Sequence, residues 1–347
     1  MKNEKNPVYM QERRTLGTTA GGSTFMVTLP KAWIEELALQ KGEHVTLVRV
    51  GGGIYLSVPK PAGKSEASTK IQIEASSDRE AVGRAIISRY IAGFDVIEIE
   101  GQISVEQREF IRSTVERLIG AEILQEKSDY VLIRMLRDPH MLSVSQLLLY
   151  IEENAEGMLK DAPQALLDED SEKAGGIIQR DDRVDRFFLF LSRQLYASFR
   201  NPLGEIEQQI SRVDFFNMHN VARQLERVAD HAVKIAKTTR SLAEEELEVP
   251  QEFKATFAKS SEAVRELLTQ AMSSFKDLNK AEADEALALT PPIEKLLNEM
   301  DRKLLSLSNP HLAFHLGIVV DSIGRVKDYA ANIAEVALNA EALQQAV

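Results

Sequence analysis

The stretch ARQLERVADHAVKIA, residues 222–236, can be laid over VDSIGRVKDYAANIA, residues 320–334. Arg227, Val228, Asp230, Ala232, Ile235 and Ala236 then fall on Arg325, Val326, Asp328, Ala330, Ile333 and Ala334. Apolar members recur three and four residues apart in both copies, so each reads as one long helix with a buried stripe. The match extends outward. Asn201-Pro202 and Asn309-Pro310 are turn signals ahead of the two copies, and the segment DDRVDR ending at Arg186 has its counterpart around Pro291, Pro292, Ile293, Glu294 and Lys295. A self-match of this span points to a duplicated three-helix unit. We expect helices at about 143–167, 171–200, 203–246, 250–278, 280–307 and 310–345, forming one bundle over 141–248 and a second over 249–347.

The texture upstream is different. Residues 69–136 alternate strand and helix: TKIQIEA, a helix from Asp78 to Gly93, DVIEIEG, a helix from Ser104 to Gly120, then EILQE and YVLIRML. This βαβαββ order implies a small sheet with helices on one face, a domain over 69–137. It has no Gly-rich phosphate loop and no histidine, so its expected role is structural or regulatory. Residues 1–60 form a third domain of short β-like runs, at Thr24–Leu29, Val45–Val50 and Ile54–Val58. The last two are joined by Gly51, Gly52 and Gly53 as a hairpin. Between them, LPKAWIEELALQKGE reads as a helix entered at Pro30 and closed by Gly42. PKPAGKSEAS, residues 59–68, is a linker by composition. The fold class is therefore multidomain: a β-rich head, a small α/β piece and an all-α half.

Composition narrows the chemistry. The 347 residues contain no cysteine, which excludes a disulfide scaffold, thiolate metal sites and a thiol nucleophile. Any metal must sit on carboxylates or imidazoles. No run approaches the roughly 18 apolar residues of a membrane span, and the first residues lack a signal-peptide core, so a soluble cytoplasmic protein is expected, with no membrane insertion. The net charge of -11 is uneven. Residues 1–60 hold eight basic and five acidic residues, a net of +3, which leaves -14 on the remainder. Phosphate neutralisation needs clustered Lys and Arg, so only the head is suited to nucleic acid.

Spacing supplies the candidate metal ligands. Asp181 and Asp185 lie four apart on one helix and Glu226 and Asp230 four apart on the next, so each pair shares a face. If those helices pack together, four carboxylates converge, and such a cluster protonates or recruits cations. The competing reading is a solvated face paired with Arg180, Arg183, Arg186 and Arg227. His219 lies on the same stripe as Glu226 and is a secondary candidate. In the second copy Thr290 and Gly324 replace Asp181 and Glu226, leaving Glu294 and Asp328, with Asp321 as a substitute. A strong site in the first copy and a weak or absent one in the second follows. His311 and His315, four apart, also have metal-compatible spacing. No nucleophile or oxyanion device accompanies these groups, so an enzyme is not expected.

The repeated LERVADHAVKIA and IGRVKDYAANIAE, with the paired D-x-x-x-D and E-x-x-x-D elements, resemble the PhoU family over about residues 141–347. That resemblance implies two pseudo-symmetric three-helix bundles, regulation of phosphate uptake, and multinuclear iron or zinc bound through Asp181, Asp185, Glu226 and Asp230, with Glu294 and Asp328 as remnants. STFMVTLPKAW (23–33), LQKGEHV (39–45) and the Gly51 hairpin resemble the AbrB/SpoVT swapped-hairpin DNA-binding domain. That resemblance implies a homodimer contacting DNA through Arg13, Arg14 and Lys31, with Arg49 secondary. Together they imply a DNA-binding regulator of phosphate uptake. The alternative is an adaptor that never binds DNA and docks on a phosphate-transporter ATPase or a signalling kinase.

Overall fold

The computed structural model describes residues 11–19, 21–22, 24–50, 53–57, 66–136, 142–200 and 210–345. The chain divides into two compact units, Met1–Ser65 and Glu66–Val347.

In the first unit β1 (Gly17–Thr18) pairs antiparallel with β2 (Phe25–Met26), and β3 (Thr46–Val50) with β4 (Gly53–Ser57), Thr46 opposite Ser57 and Arg49 opposite Ile54. The first run pairs only at Phe25 and Met26, a shorter strand than its composition suggests. Helix α1 (Lys31–Glu36) is also shorter than expected. Ala38 takes a left-handed φ of 52°, and the amides of Ala38 and Leu39 close back on Glu35 and Ile34, so a Schellman-type cap ends the helix before Gly42. Among the described residues of this unit only Pro30 is buried. Phe25, Leu47 and Ile54 are 67, 65 and 77% exposed.

The second unit begins with a four-stranded sheet of order β5-β6-β8-β7, comprising β5 (Ser68–Ile73), β6 (Val96–Gly101), β7 (Ala121–Glu126) and β8 (Tyr130–Met135). β5 and β6 are parallel, β8 antiparallel to both of its neighbours. Alternate residues Ile71, Ile73, Ile97, Ile99, Val131 and Ile133 are buried, as period-2 pleating requires when helices cover one face. The covering helices are α2 (Arg79–Ile91), capped by Asp78, and α3 (Val105–Glu116), entered through a reciprocal Ser104–Gln107 capping box.

The helices that follow are α4 (Val144–Asp168), α5 (Ser171–Arg200), α6 (Arg212–Glu244), α7 (Gln251–Asp277), α8 (Lys280–Ala288), α9 (Thr290–Leu305) and α10 (Pro310–Gln345). α4, α5 and α6 pack on one another, as do α7, the α8–α9 pair and α10, while α6 lies against α10. The sequence repeat becomes a repeat of burial: Val228, Ala232, Ile235 and Ala236 and their counterparts Val326, Ala330, Ile333 and Ala334 are all fully buried.

Two helix limits differ from expectation. Helix α6 does not run in from 203: Ser211 is its N-cap, its Oγ accepting from the Asp214 amide, and the expected start lies outside the described residues. The single helix expected over 280–307 is two, broken at Leu289. Pro291 and Pro292 have no N–H to continue the ladder from α8, so they open a new helix instead. Among the described residues, no helix is long and apolar enough to cross a membrane.

Candidate functional site

The 3.6-residue period puts Asp181 and Asp185 on one face of α5, and Glu226 and Asp230 on one face of α6. The packing of these helices brings the four carboxylates within electrostatic reach. Burial raises Asp181 to about 6, with Asp185, Asp230 and Asp182 adding to the rise. Burial likewise raises Glu226 to about 7, helped by Asp230, Asp185 and Asp181. Asp185 is raised by burial against the pull of Arg117, and Asp230, nearer the surface, is raised by burial against Lys234 and Lys237. Of the four, Glu226 is raised as far as neutral pH, and a cation would relieve the mutual repulsion of the others.

The donor set, oxygen only, suits a hard or borderline cation. As placed, however, no three carboxylate or imidazole side chains among the described residues are gathered closely enough to hold a metal. One reason is that Asp185 faces a protein cation. Arg117, just beyond α3 in the α/β region, donates from Nη2 to Asp185 at 2.6 Å, and its Nε lies 3.7 Å from Asp182. This residue is 68 positions away in sequence and carries no local signal of the contact. Of the arginines that spacing offered as partners, Arg180 binds Asp161 at 2.6 Å, while Arg227 lies over the Tyr329 ring and still lowers Glu226 and Asp230 through its charge.

His219 is not brought to the cluster. It is buried, its Nε2 3.0 Å from Ser192 Oγ and its ring 5.4 Å from that of Phe188, and burial lowers it to about 4. It is a neutral core histidine. The second copy differs in a way the alignment contains but did not announce. Lys327, at the position of Ala229 in the first copy, reaches Glu294 at 2.9 Å and Asp328 at 3.2 Å. A lysine ammonium therefore neutralises the two remnant carboxylates, while Asp321 lies beside Arg325. His311 and His315 converge on Glu245, at 3.5 and 2.9 Å.

In the first unit, Arg13 and Arg14 are exposed in the segment before β1, with Arg14 ion-paired to Glu12. Lys31, 89% exposed, opens α1 and lies 3.4 Å from Glu35. Arg49 is exposed on β3.

Residues 149–239, which hold α5 and the four carboxylates, match the family model of the PhoU domain. Residues 18–65 match that of the antidote-toxin recognition MazE bacterial antitoxin. No curated protein matches significantly. A crystal structure of PhoU from Pseudomonas aeruginosa aligns with TM-score 0.51 at 21% identity, over 56% of this chain and 93% of that one. The phosphate transport system regulatory protein PhoU from Streptococcus pneumoniae aligns with TM-score 0.49 at 20% identity, over 56% and 91%. The chain thus carries a PhoU domain in its all-helical part and a MazE/AbrB-like domain at its N-terminus, with the small α/β region between them in sequence.

Proposed function

We propose that the chain is a regulator of phosphate uptake, not an enzyme, that dimerises and binds DNA through its head and senses phosphate status through its helical half. The observation that carries this reading is the head itself. Its β-runs are apolar, yet only Pro30 among its described residues is buried. A second copy that interleaves its hairpins would supply the missing core and double the basic charge. The PhoU domain on the same chain supports the phosphate part of this reading.

Metal is the second part of the proposal. Asp181, Asp185, Glu226 and Asp230 would hold iron or zinc ions, which supply the positive charge the cluster lacks. Loading requires Asp185 to exchange Arg117 for the ion. The second copy, occupied by Lys327, stays metal-free.

The test measures binding of labelled genomic fragments at several salt concentrations. Arg13→Ala with Arg14→Ala should weaken binding to all sequences and reduce the salt slope by about 1 per lost phosphate contact. Unchanged affinity and slope would refute the DNA assignment. A second reading has its own support in the exposed Phe25, Met26, Val27 and Ile54 and in the toxin-recognition family that the head matches. There the head contacts a protein, and the chain acts as an adaptor on a transporter subunit or signalling kinase. Retention of transporter subunits on the immobilised chain, with no fragment bound, would favour it.

A further inference from the structure

His311 and His315 lie one turn apart at the start of α10, and a carboxylate from the other bundle meets them there. Asn309 caps α10, its Oδ1 accepting from the amides of His311 at 2.9 Å and Leu312 at 3.3 Å, which fixes the turn that carries the two imidazoles. The carboxylate is that of Glu245, the C-cap of α6. His315 Nε2 lies 2.9 Å from its Oε1, and His311 Nδ1 lies 3.5 Å from its Oε2. Asp185, Glu294 and Asp328 each have an arginine or lysine beside them. Glu245 has no such cation among the described residues; its partners are the two imidazoles. Glu244, Glu246 and Glu248 flank it in sequence and add to the negative potential. The hydrogen bond with His315 holds Glu245 below the usual carboxylate range, so it is ionised at neutral pH.

Two histidines four apart on a helix can bind one zinc ion from the same face. Here a carboxylate already touches both of them. Donors around a tetrahedral zinc at bond lengths near 2.0–2.2 Å stand about 3.3 Å from one another. The two contacts of Glu245, at 2.9 and 3.5 Å, bracket that separation. As placed, the imidazoles sit on different oxygens of the carboxylate, so the three donors do not enclose one point. Closing them takes side-chain torsion only: His311 is 77% exposed and Glu245 43%, while His315, 12% exposed, is already held in place. We propose that His311, His315 and Glu245 form a zinc site, separate from the carboxylate cluster, with water as the fourth ligand. Mixed nitrogen and oxygen donors select zinc over magnesium or calcium, which take oxygen. Because Glu245 ends α6 and the histidines open α10, the ion joins the two bundles.

The experiment titrates zinc into the full chain against a chelating dye at neutral pH. The chain carries Asp181→Asn and Glu226→Gln, so that zinc at the carboxylate cluster is not counted in its place. One zinc should bind per chain, and excess magnesium should not displace it. His311→Ala, His315→Ala and Glu245→Gln, each added to that chain, should weaken binding by roughly tenfold or more. His311 and Glu245 are exposed enough for their variants to keep the fold, and they serve alone if His315→Ala does not. Absence of zinc binding, displacement by magnesium, or unchanged affinity in His311→Ala or in Glu245→Gln would overturn the proposal.

Discussion

Arg117 and Asp185 set the character of the acidic cluster, because one hydrogen-bonded guanidinium determines which carboxylate is available. Arg117→Gln should raise the affinity for zinc or iron several-fold, measured by competition with a chelating dye; weaker binding would mean that Arg117 organises the site and does not compete for it. The pH dependence has a definite sign. Asp181 rises from 3.8 to about 6 and Glu226 from 4.5 to about 7, so the folded chain holds these protons more tightly than the unfolded one. Their contribution to the stability of the metal-free protein is therefore lost as pH rises through that window. His219 and His231, both lowered from 6.5 to about 4, act oppositely and remove stability as pH falls through theirs. Comparison of variants separates the two. Glu226→Gln should exceed the metal-free wild type in Tm by roughly 1–3 °C at pH 8, with the difference vanishing near pH 4.5. A difference independent of pH would exclude the electrostatic cause. The four carboxylates were legible because helical spacing is local. Arg117 was not, since nothing near it in sequence registers a contact 68 residues away.

At the scale of elements, caps and prolines decided the limits that periodicity could not. Ser211 starts α6 by accepting from the Asp214 amide at 3.0 Å. Ser211→Ala should cost about 1 kcal/mol in denaturant unfolding; a loss below the error of the measurement would show that packing alone sets that end. Periodicity alone carried one helix through Leu289, since apolar residues on both sides keep the same stripe. Pro291 and Pro292 overrule it through their missing amides. In α1 the reverse held: Gly42 looked like the terminator, but Ala38 in a left-handed conformation closed the helix first. Short elements are poorly specified by composition because neighbours outside the window fix their ends.

At the scale of the molecule, the head determines what the chain must do to be stable. With Phe25, Met26, Leu47 and Ile54 exposed, it should associate. Light scattering should give a dimer, and Ile54→Asp should return a monomer that no longer binds DNA. A wild-type monomer that binds DNA with full affinity would contradict the interleaved-hairpin reading. The asymmetry of charge belongs to this scale too, since only the first sixty residues are net basic.

By itself the sequence determined the repeat, the order of the longer strands and helices, and two pairs of acidic residues, each pair sharing one face of its helix. These are consequences of periodicity, and periodicity is written locally. Tertiary structure alone decided that Arg117 reaches Asp185, that Lys327 reaches Glu294 and Asp328, and that His219 lies against Ser192. Each of these depends on where a side chain ends in space after distant segments pack, and on how much water that packing removes.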